Sequence, residues 1–304
     1  MRLLLFNKVD GILKAIKFIR SIIIMEKITE NLLTKVIRKR PANSFKGTYG
    51  KVVLIGGSQN FGGAIIMASL AAVYSGAGLV TTITNPTNQS SLHDWLPEAM
   101  FVDDNQFDAA QSIVTAANVI VIGPGLGTDQ HALSLLKQTF ALAKTGQVLV
   151  IDGSALTLIA QNNLALPKGP LNVLTPHQME WQRLSGIKIA NQTTQKNREV
   201  ANQLGAIVVV KSHRTQVYVD NQVYENPGGT PAQATGGMGD TLAGMIGGFT
   251  AQFNNKSEAV LAAVYTHSAI ADELAKKQYV VLPHQISEAL PTFMLQHQGA
   301  NQAE

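Results

Sequence analysis

One short stretch of the chain combines several glycines with a single carboxylate. Residues 234–244 read Ala-Thr-Gly-Gly-Met-Gly-Asp-Thr-Leu-Ala-Gly, so three glycines fall within four positions and Asp240 follows the last of them. Glycines let a backbone turn tightly and approach a ligand closely. The apolar run Thr241–Ala251 has helical spacing, and the first amides of such a helix are free to bind phosphate or a developing oxyanion. The stretch predicts an anion hole built from the amides of Gly236, Gly237, Met238 and Gly239.

The carboxylate of Asp240 would repel a bound anion unless it has a chemical task. A base that takes the proton of a hydroxyl group, as that hydroxyl attacks phosphorus, has such a task. The alternative is an aspartate that only caps a closely packed helix. The stretch alone does not decide between a catalytic base and a cap.

A second polar cluster follows another apolar run. It comprises Lys211, Ser212, His213, Arg214 and Thr215. An ammonium, a guanidinium, an imidazole and two hydroxyls suit phosphate oxygens, because arginine can bind two of them at once. A solvated turn between two strands is the alternative, and we favour contact with a nucleotide.

Four further polar residues are weighed individually. His177 follows Thr-Pro at a strand end and could stack on or hydrogen-bond a ligand, although a single histidine is more often structural. Asp152 and Glu180 could bind Mg²⁺ through water, although carboxylates at the start of a loop usually cap helices. His267, inside a long helix, is interpreted as structural. No group has the spacing of a dedicated metal site, and the chain has no cysteine.

These residues need a scaffold that brings distant loops together. Apolar strands alternate with helices, which predicts an α/β fold with a mainly parallel central sheet and helices on both faces. The main predicted elements are helices Ile28–Arg40 and Ser257–Lys277 and strands Val119–Ile122, Val148–Ile151 and Ile207–Val210. Polar or glycine-rich loops follow strands at Gly56–Gly63, Gly123–Gly127, Thr175–Glu180, Lys211–Thr215 and Gly236–Asp240. Because parallel strands end at one edge of a sheet, we expect these loops to meet in one crevice.

The composition of the chain limits the classes of protein to which it can belong. The chain has 304 residues, of which 45% are hydrophobic and 14% charged, as is typical of a compact enzyme. Residues 1–40 contain ten Lys or Arg and three acids, whereas residues 41–304 contain 14 and 17. The basic character therefore belongs to the first segment, and we expect no nucleic-acid partner. The absence of cysteine fits a cytoplasmic protein.

The chain is divided at two points. Charges interrupt every apolar run in residues 1–25, so we expect neither a spanning helix nor a signal peptide there, and no membrane partner. We interpret residues 1–25 as an upstream extension or disordered arm, with Met25 as the working start. Residues 26–295 form one predicted domain, and residues 296–304 a frayed tail.

The motifs, taken in order, resemble one known family. They are Lys46-Gly-Thr-Tyr-Gly50, Gly56-Gly-Ser58, Gly123-Pro-Gly-Leu-Gly127, Asp152-Gly-Ser-Ala155, Thr175-Pro-His177, Lys211 to Thr215 and Ala234 to Asp240. This set is similar to the ADP/ATP-dependent NAD(P)H-hydrate dehydratases, the carbohydrate-kinase-like YjeF C-terminal family. The resemblance covers nearly all of residues 26–295 and implies the ribokinase-like three-layer α/β/α fold.

The resemblance also implies a reaction. Family members are hydro-lyases that repair NADH or NADPH hydrated on the nicotinamide ring (NADHX and NADPHX). They use a phosphoryl group of ADP, the usual donor in bacterial members, or of ATP, with Mg²⁺ bridging the donor phosphates. By this resemblance Asp240 takes the proton of the ring hydroxyl as it attacks the terminal phosphorus, and phosphate then leaves more readily than hydroxide would.

The family's ligand contacts transfer residue by residue. Contacts to the hydrated dinucleotide match Ala64, Gly127, His177 and Asp240. Contacts to the adenine nucleotide match Lys211, Ser212, His213, Arg214, Thr215 and Gly239. The resemblance further implies a separate epimerase as functional partner and assembly into dimers or tetramers.

Two other functions compete with the dehydratase. A ribokinase-like kinase of a hydroxymethyl-pyrimidine, thiazole or sugar alcohol needs the same base and anion hole, but Gly123–Gly127 together with Thr175-Pro-His177 favours the dehydratase. A non-catalytic nucleotide sensor has no use for Asp240. Departures from the family pattern at Phe45, Gln178-Met179, Asn226–Gln233 and Met238 concern the substrate lid and the donor. The sequence therefore does not decide whether the phosphoryl donor is ADP or ATP, or whether the preferred substrate is NADHX or NADPHX.

Overall fold

The computed structural model describes residues 25–299, which contain one ten-stranded sheet in the order β1-β10-β9-β8-β7-β6-β5-β2-β3-β4. The strands are β1 (Met25–Lys27), β2 (Lys51–Ile55), β3 (Leu79–Thr84), β4 (Met100–Asp103), β5 (Val119–Ile122), β6 (Val148–Ile151), β7 (Leu171–Leu174), β8 (Ile207–Val210), β9 (Gln216–Val219) and β10 (Gln222–Glu225). The helices are α1 (Asn31–Val36), α2 (Gly62–Tyr74), α3 (Gln89–Trp95), α4 (Phe107–Ala116), α5 (Gln130–Leu142), α6 (Gly153–Asn162), α7 (Gln178–Ser185), α8 (Thr194–Leu204), α9 (Met238–Gln252), α10 (Lys256–Ala275) and α11 (Pro283–Gln296). Within residues 25–299, only β9 runs antiparallel to its neighbours, β8 and β10.

The sheet separates two hydrophobic cores. Successive side chains of a strand point to opposite faces, so Val52 and Leu54 of β2 lie in one core while Val53 and Ile55 lie in the other. Helices α1 to α3 and α9 to α11 supply the first core, and α4 to α8 supply the second. A sheet covered on both faces needs continuous apolar strands, which is the pattern the sequence shows. The predicted three-layer α/β/α fold is confirmed.

The strand order reverses beside β2. This strand lies between β3 and β5, so the chain builds β2 to β4 towards one side and β5 to β8 towards the other. Open α/β sheets bind ligands at such a reversal. The two loops that leave β2 and β5 are joined there: the Gly57 amide donates to the Pro124 carbonyl at 2.9 Å and the Ser58 amide to the Gly125 carbonyl at 2.6 Å. The predicted convergence of these two loops is confirmed.

Helices α2 and α9 pack closely and run in the same direction. A β-carbon on Gly244 of α9 would clash with the carbonyl oxygen of Ala68 of α2, and one on Gly248 would lie 2.6 Å from Cβ of Ser75. Just before α9 begins, a β-carbon on Gly237 would clash with the sulfur of Met67, which reaches it from the second turn of α2. Small residues therefore hold the first turns of the two helices side by side at the carboxyl edge of the sheet.

Both ends of the described chain differ from the sequence prediction. The helix predicted over Ile28–Arg40 is α1 alone, because Ile37 is extended (ψ 114°) and Arg38 pairs with Gly299 in a β-bridge. The expected frayed tail is wrong for residues 297–299, since the Gly299 amide donates to the Ile37 carbonyl at 2.8 Å. The predicted extension lies outside the described residues apart from Met25, which begins β1, as do residues 300–304. Within residues 25–299, no helix combines the length and apolar character needed to cross a bilayer.

Candidate active site

The glycine-rich turn forms the start of α9. Gly237 is the N-cap residue and adopts a left-handed conformation (φ 96°) that favours glycine. The helix begins at Met238, three residues before the predicted start, and its first intrahelical bond runs from the Thr241 amide to the Gly237 carbonyl at 2.9 Å. The preceding amides therefore have no intrahelical acceptor and are available to an anion. The predicted anion hole has the backbone geometry that it requires.

An ion pair between the buried Asp152 and the partly buried Lys211 lies against this turn. Nζ of Lys211 is 2.8 Å from Oδ1 of Asp152, and a β-carbon on Gly239 would be 2.9 Å from the same ammonium. The hydroxyl of Thr175 also donates to Oδ1 of Asp152, at 2.7 Å. Burial lowers the pKa of Lys211, but Asp152 and Glu180 outweigh it, so the net pKa is raised and the ammonium stays charged. Lys211, predicted as a nucleotide contact, thus brings its charge to the amino end of α9.

Asp240 lies in the first turn of α9, where its carboxylate is half-buried. Burial, followed by the negative charge of Asp152, raises its pKa to about 6, against the opposing effect of Lys211. A carboxylate with this pKa is ionised at neutral pH and still accepts a proton readily, as a general base must. Its environment therefore suits the predicted catalytic role.

His177 caps α7 with its ring. Nδ1 accepts from the Met179 amide at 3.1 Å, while Oε2 of Glu180 accepts from the His177 amide at 2.8 Å. Burial, and then the positive charges of Lys211 and Arg183, lower the pKa of His177. In the neutral ring Nε2 must carry the proton, because Nδ1 accepts. This N–H lies 3.6 Å from Oε1 of Glu180, beyond hydrogen-bonding distance, and the side chain is half-exposed, so capping and ligand contact are compatible.

Two of the predicted dinucleotide contacts, Gly127 and Ala64, lie at the strand reversal. Gly127 has a left-handed backbone (φ 85°), and a β-carbon on it would meet only Ser58, at 3.7 Å. Ala64 stands in the first turn of α2, and its Cβ would be 2.9 Å from a β-carbon on Gly125. Because α2 and α9 begin side by side, Ala64 and Asp240 share the same edge of the sheet. The structure thus brings the two predicted ligand sites together.

The polar turn after β8 is tied to a neighbouring loop. Nη1 of Arg214 donates to the Gly228 carbonyl at 3.2 Å, and the Asn226 amide donates to the Thr215 carbonyl at 2.8 Å. Ser212 and His213 are exposed at the outside of this turn. Arg214, which is predicted to contact a nucleotide, therefore also ties the polar turn to the loop 226–233.

The two carboxylates weighed as magnesium ligands have different surroundings. Glu180 caps α7, which is one of the two roles that the sequence suggested, and burial raises its pKa. The side chain of Asp152 makes no capping hydrogen bond to α6 and pairs with Lys211 instead. Among residues 25–299 no set of three or more His, Asp or Glu could hold a metal ion. This donor set fits contact through water with a cation that the nucleotide phosphates themselves hold, and not a dedicated metal cage.

A large cavity lies away from these residues. It has a volume of about 1320 Å³ and is lined by residues 35–41 and by residues 252–255 at the opposite end of α9. None of the predicted site residues lines it. The free amides, the ion pair and the raised pKa of Asp240 place the candidate site at the amino end of the helix instead.

Known proteins share the fold and the sequence. Residues 52–292 match the family described as NAD(P)H-hydrate dehydratase. The chain is 60% identical over 270 residues to an ADP-dependent (S)-NAD(P)H-hydrate dehydratase of Lactiplantibacillus plantarum, covering 89% of this chain and 97% of the relative. A crystal structure of a ribokinase-like superfamily protein from Enterococcus faecalis superposes with a TM-score of 0.88 at 48% identity, covering 90% of this chain and 96% of that one.

A third similarity includes a ligand. An ADP/ATP-dependent NAD(P)H-hydrate dehydratase from Bacillus subtilis, co-crystallised with ATP and Mg²⁺, gives a TM-score of 0.81 at 29% identity, covering 90% of this chain and 99% of that one. The family match covers most of the chain and includes both the glycine loops that follow the strands and the turn that carries Asp240. The chain belongs to the NAD(P)H-hydrate dehydratase family of the ribokinase-like superfamily.

Proposed function

We propose that this protein uses ADP to dehydrate the (S) form of hydrated NADH and NADPH. One observation carries the proposed mechanism: Asp240, with its pKa raised to about 6, lies in the first turn of α9 next to Gly239, against which the ammonium of Lys211 is placed. A base, free amides and a positive charge are thereby placed at one point. The donor and the substrate follow the name of the relative that is 60% identical.

The base begins the reaction. Asp240 takes the proton of the ring hydroxyl, the hydroxyl oxygen forms a bond to the terminal phosphorus of ADP, and the bond between that phosphorus and AMP breaks. The ring carbon–oxygen bond then breaks, and phosphate leaves with its electron pair. The ring nitrogen supplies the replacing pair, and a proton leaves the adjacent ring carbon. The products are AMP, phosphate and NADH or NADPH.

The turn and the ion pair stabilise the transferred group. The free amides from Gly236 to Gly239 and the ammonium of Lys211 act on it from two directions, and such preorganised charges act most strongly where negative charge develops. Asp152 holds the ammonium at 2.8 Å, so Lys211 does not have to be ordered when the nucleotide arrives. This assigns Lys211 a role in the transition state beyond nucleotide binding.

The remaining predicted contacts bind the two ligands. Lys211 to Thr215, together with Gly239, bind the adenine nucleotide. Ala64, Gly127 and the Nε2–H of His177 bind the hydrated dinucleotide. Bound Mg²⁺ would offset the charge of the donor phosphates. Asp152 and Glu180 would hold it through water.

A direct assay tests the proposal. The protein is incubated with hydrated NADH, Mg²⁺ and either ADP or ATP, and the return of the NADH absorbance is followed together with AMP and free phosphate. We expect recovery with ADP and one phosphate released for each NADH formed. A stable phosphoester in place of free phosphate would identify the competing small-molecule kinase. No recovery with either nucleotide would refute the dehydratase.

The surroundings of the reaction are also proposals. Because the relative's name specifies the (S) form, the other epimer needs conversion, and we assign this to a separate epimerase. We place the reaction in the cytoplasm, which supplies ADP and NADH, and expect a dimer or tetramer. Light scattering on the purified full chain measures the oligomeric state, and a monomer would contradict the last expectation.

A further inference from the structure

A buried histidine lies beneath the anion-binding turn. His267 belongs to α10, and only 7% of its surface is exposed. Its Nδ1 is 3.5 Å from Nε2 of Gln233, and the backbone of Met238 is close enough to influence its pKa. The ring therefore contacts both ends of the segment that leads into α9. The mechanism above does not use it.

The neighbouring hydrogen bonds determine which ring nitrogen carries the proton. The Thr230 amide can only donate, and it donates to Oε1 of Gln233 at 3.2 Å. Nε2 of Gln233 is then the amide nitrogen, which donates, so Nδ1 of His267 accepts. Burial lowers the pKa of His267 to about 4, so the ring is neutral and its single proton lies on Nε2. His267 thus directs an N–H donor from a fixed position in the protein interior.

That donor has no well-aligned partner within the described residues. Nε2 of His267 is buried and has no partner of ordinary hydrogen-bond geometry among residues 25–299, although the Met238 backbone is close enough to raise the pKa of the ring. A buried donor without a partner is destabilising, because it has lost its hydrogen bonds to water. Since Met238 is the first residue of α9 and its backbone lies near the ring, a small approach of the first turn would satisfy the donor.

Two further residues of α10 hold the same segment. Oδ2 of Asp272 accepts from the Gly229 amide at 3.0 Å, and Oγ of Ser268 accepts from Nδ2 of Asn226 at 2.7 Å. Together with His267 they form one polar face of α10 directed at residues 226–238. Asp272 and Ser268 hold the beginning of this segment, and His267 lies under its end, where the anion-binding amides begin.

We propose that His267 is a positioning residue, which aligns the amides of the Gly236–Asp240 turn with the transferred phosphoryl group through its contacts with Gln233 and Met238. The inference deepens the proposed function and rests on it, because an anion must bind at this turn. A displacement of these amides by about 1 Å from their aligned position can lower the rate by about 10²-fold. The effect belongs in kcat, since alignment in the transition state, and not ligand binding, is lost.

Side-chain replacement on one helix tests the inference. His267→Leu removes both ring nitrogens and keeps the apolar volume, whereas His267→Gln can return an N–H near the position of Nε2. Thr266→Val is the matched control, because Thr266 is also fully buried on α10 and its hydroxyl has no hydrogen-bond partner among the described residues. We expect His267→Leu to lower kcat by about 10–10² with little change in KM for ADP. His267→Gln should recover most of that loss, and Thr266→Val should leave kcat unchanged.

A variant at a less buried position provides a test that does not depend on whether the variants of the buried His267 fold correctly. Gln233→Met removes the donor that sets the ring tautomer, at a residue that is only half-buried. It should lower kcat as well, and its effect should not add to that of His267→Leu, because both act through one contact. Additive losses, or equal kcat in His267→Leu and wild type, would overturn the inference.

A binding measurement separates this inference from the reaction. In backbone-amide NMR spectra, ADP should shift the signals of Gly236, Gly237 and Gly239 in the wild type and in Thr266→Val, and shift them less in His267→Leu. This readout does not need turnover, so an inactive wild-type protein would refute the proposed dehydratase while the amide shifts still tested the role of His267. Equal shifts in all three proteins would contradict that role.

Discussion

The ammonium of Lys211 lies 2.8 Å from Oδ1 of Asp152, although 59 positions separate the two residues in the chain. Strand β7 stands between the strands that carry them, and the long lysine side chain spans it. The pair acts on Asp240 in opposite senses, since Asp152 raises the pKa of the Asp240 carboxyl and Lys211 lowers it. The protonation of the proposed base is therefore set by a balance between these two side chains.

The pH dependence of the reaction should report this base. Burial and Asp152 raise the pKa of Asp240 to about 6, and the base works only when it is deprotonated. We expect kcat/KM for hydrated NADH to decrease as the pH is lowered below about 6 and to be constant at higher pH. The measurement is the initial rate at low substrate from about pH 5 to about pH 8, with stability of the protein checked at each pH. An acidic limb centred near the ordinary aspartate pKa of about 4 would contradict the assigned environment.

Substitution of Asp152 or Lys211 should shift the midpoint of the acidic side of the pH–rate profile in a predictable direction. Asp152→Asn removes a negative charge that raises the pKa of Asp240, so the midpoint should fall. Lys211→Met removes a positive charge that lowers it, so the midpoint should rise, and the plateau rate should also drop because the phosphoryl group loses its cation. Comparison of the two pH–rate profiles with that of the wild type tests this. Shifts of the same sign in both variants would argue against the balance.

The carboxylate of Asp240 itself should be needed for turnover and not for nucleotide binding. Asp240→Asn keeps the size and removes the base, so the rate should fall by about 10²–10⁴-fold. Calorimetric titration with ADP should give an unchanged or tighter Kd, because a negative charge near the phosphates has been removed. Intact turnover in this variant would exclude Asp240 as the base.

A methyl group at Gly239 should disturb the site without unfolding the protein. Its β-carbon would stand 2.9 Å from Nζ of Lys211, so Gly239→Ala should displace the ammonium and lower kcat. Gly63→Ala is the matched control, because Gly63 lies in the first turn of α2 and its β-carbon would meet no atom within 4 Å. The control leaves Lys211 in place and should be more stable by about 0.5–1 kcal/mol, since alanine loses less backbone entropy in a helix. Equal activity in both variants would show that Lys211 does not need its present position.

The contact between α2 and α9 should be sensitive to a single carbon atom. A β-carbon at Gly244 would clash with the Ala68 carbonyl, and backbone atoms cannot move aside as a flexible side chain can. Gly244→Ala should lower the free energy of unfolding by about 1–3 kcal/mol, as other overpacked cores do. Urea titration followed by circular dichroism measures it, with Gly63→Ala again as the control. An unchanged transition midpoint would mean that the helices can separate at little cost.

Much of the framework could be predicted from apolar periodicity. Strands β5, β6 and β8 have the bounds that the sequence predicted, because each is a continuous apolar run buried on both faces. Strand β1 could not be predicted, since two of its three residues are charged and only its pairing with β10 defines it. Helix α1 was predicted too long because Ile37 continues the apolar spacing, whereas its backbone is extended to meet Gly299.

The site was less accessible to sequence reasoning than the fold. The free amides before Asp240 follow from local glycine chemistry, which a sequence shows directly. The contact of Lys211 with Asp152 depends on the order of β6, β7 and β8 in the sheet, and no local pattern reveals that order. His267 was interpreted as structural because a histidine inside a long helix carries no local sign of what packs against it. A helix face bearing His267, Ser268 and Asp272 together was the one available signal.

Neither α2 nor α9 can slide along the other, because glycines bring their backbones into contact at Gly244 and Gly248. The distance between Ala64 and the turn at Gly237 is therefore fixed before any ligand binds. The loops 211–215 and 226–233 are joined to the frame mainly by hydrogen bonds and can adjust to a ligand. Ligand exchange then requires local loop movement only, and binding free energy is not diverted into closing one domain onto another. A substrate with a different ring-to-phosphate distance would be rejected by the backbone itself.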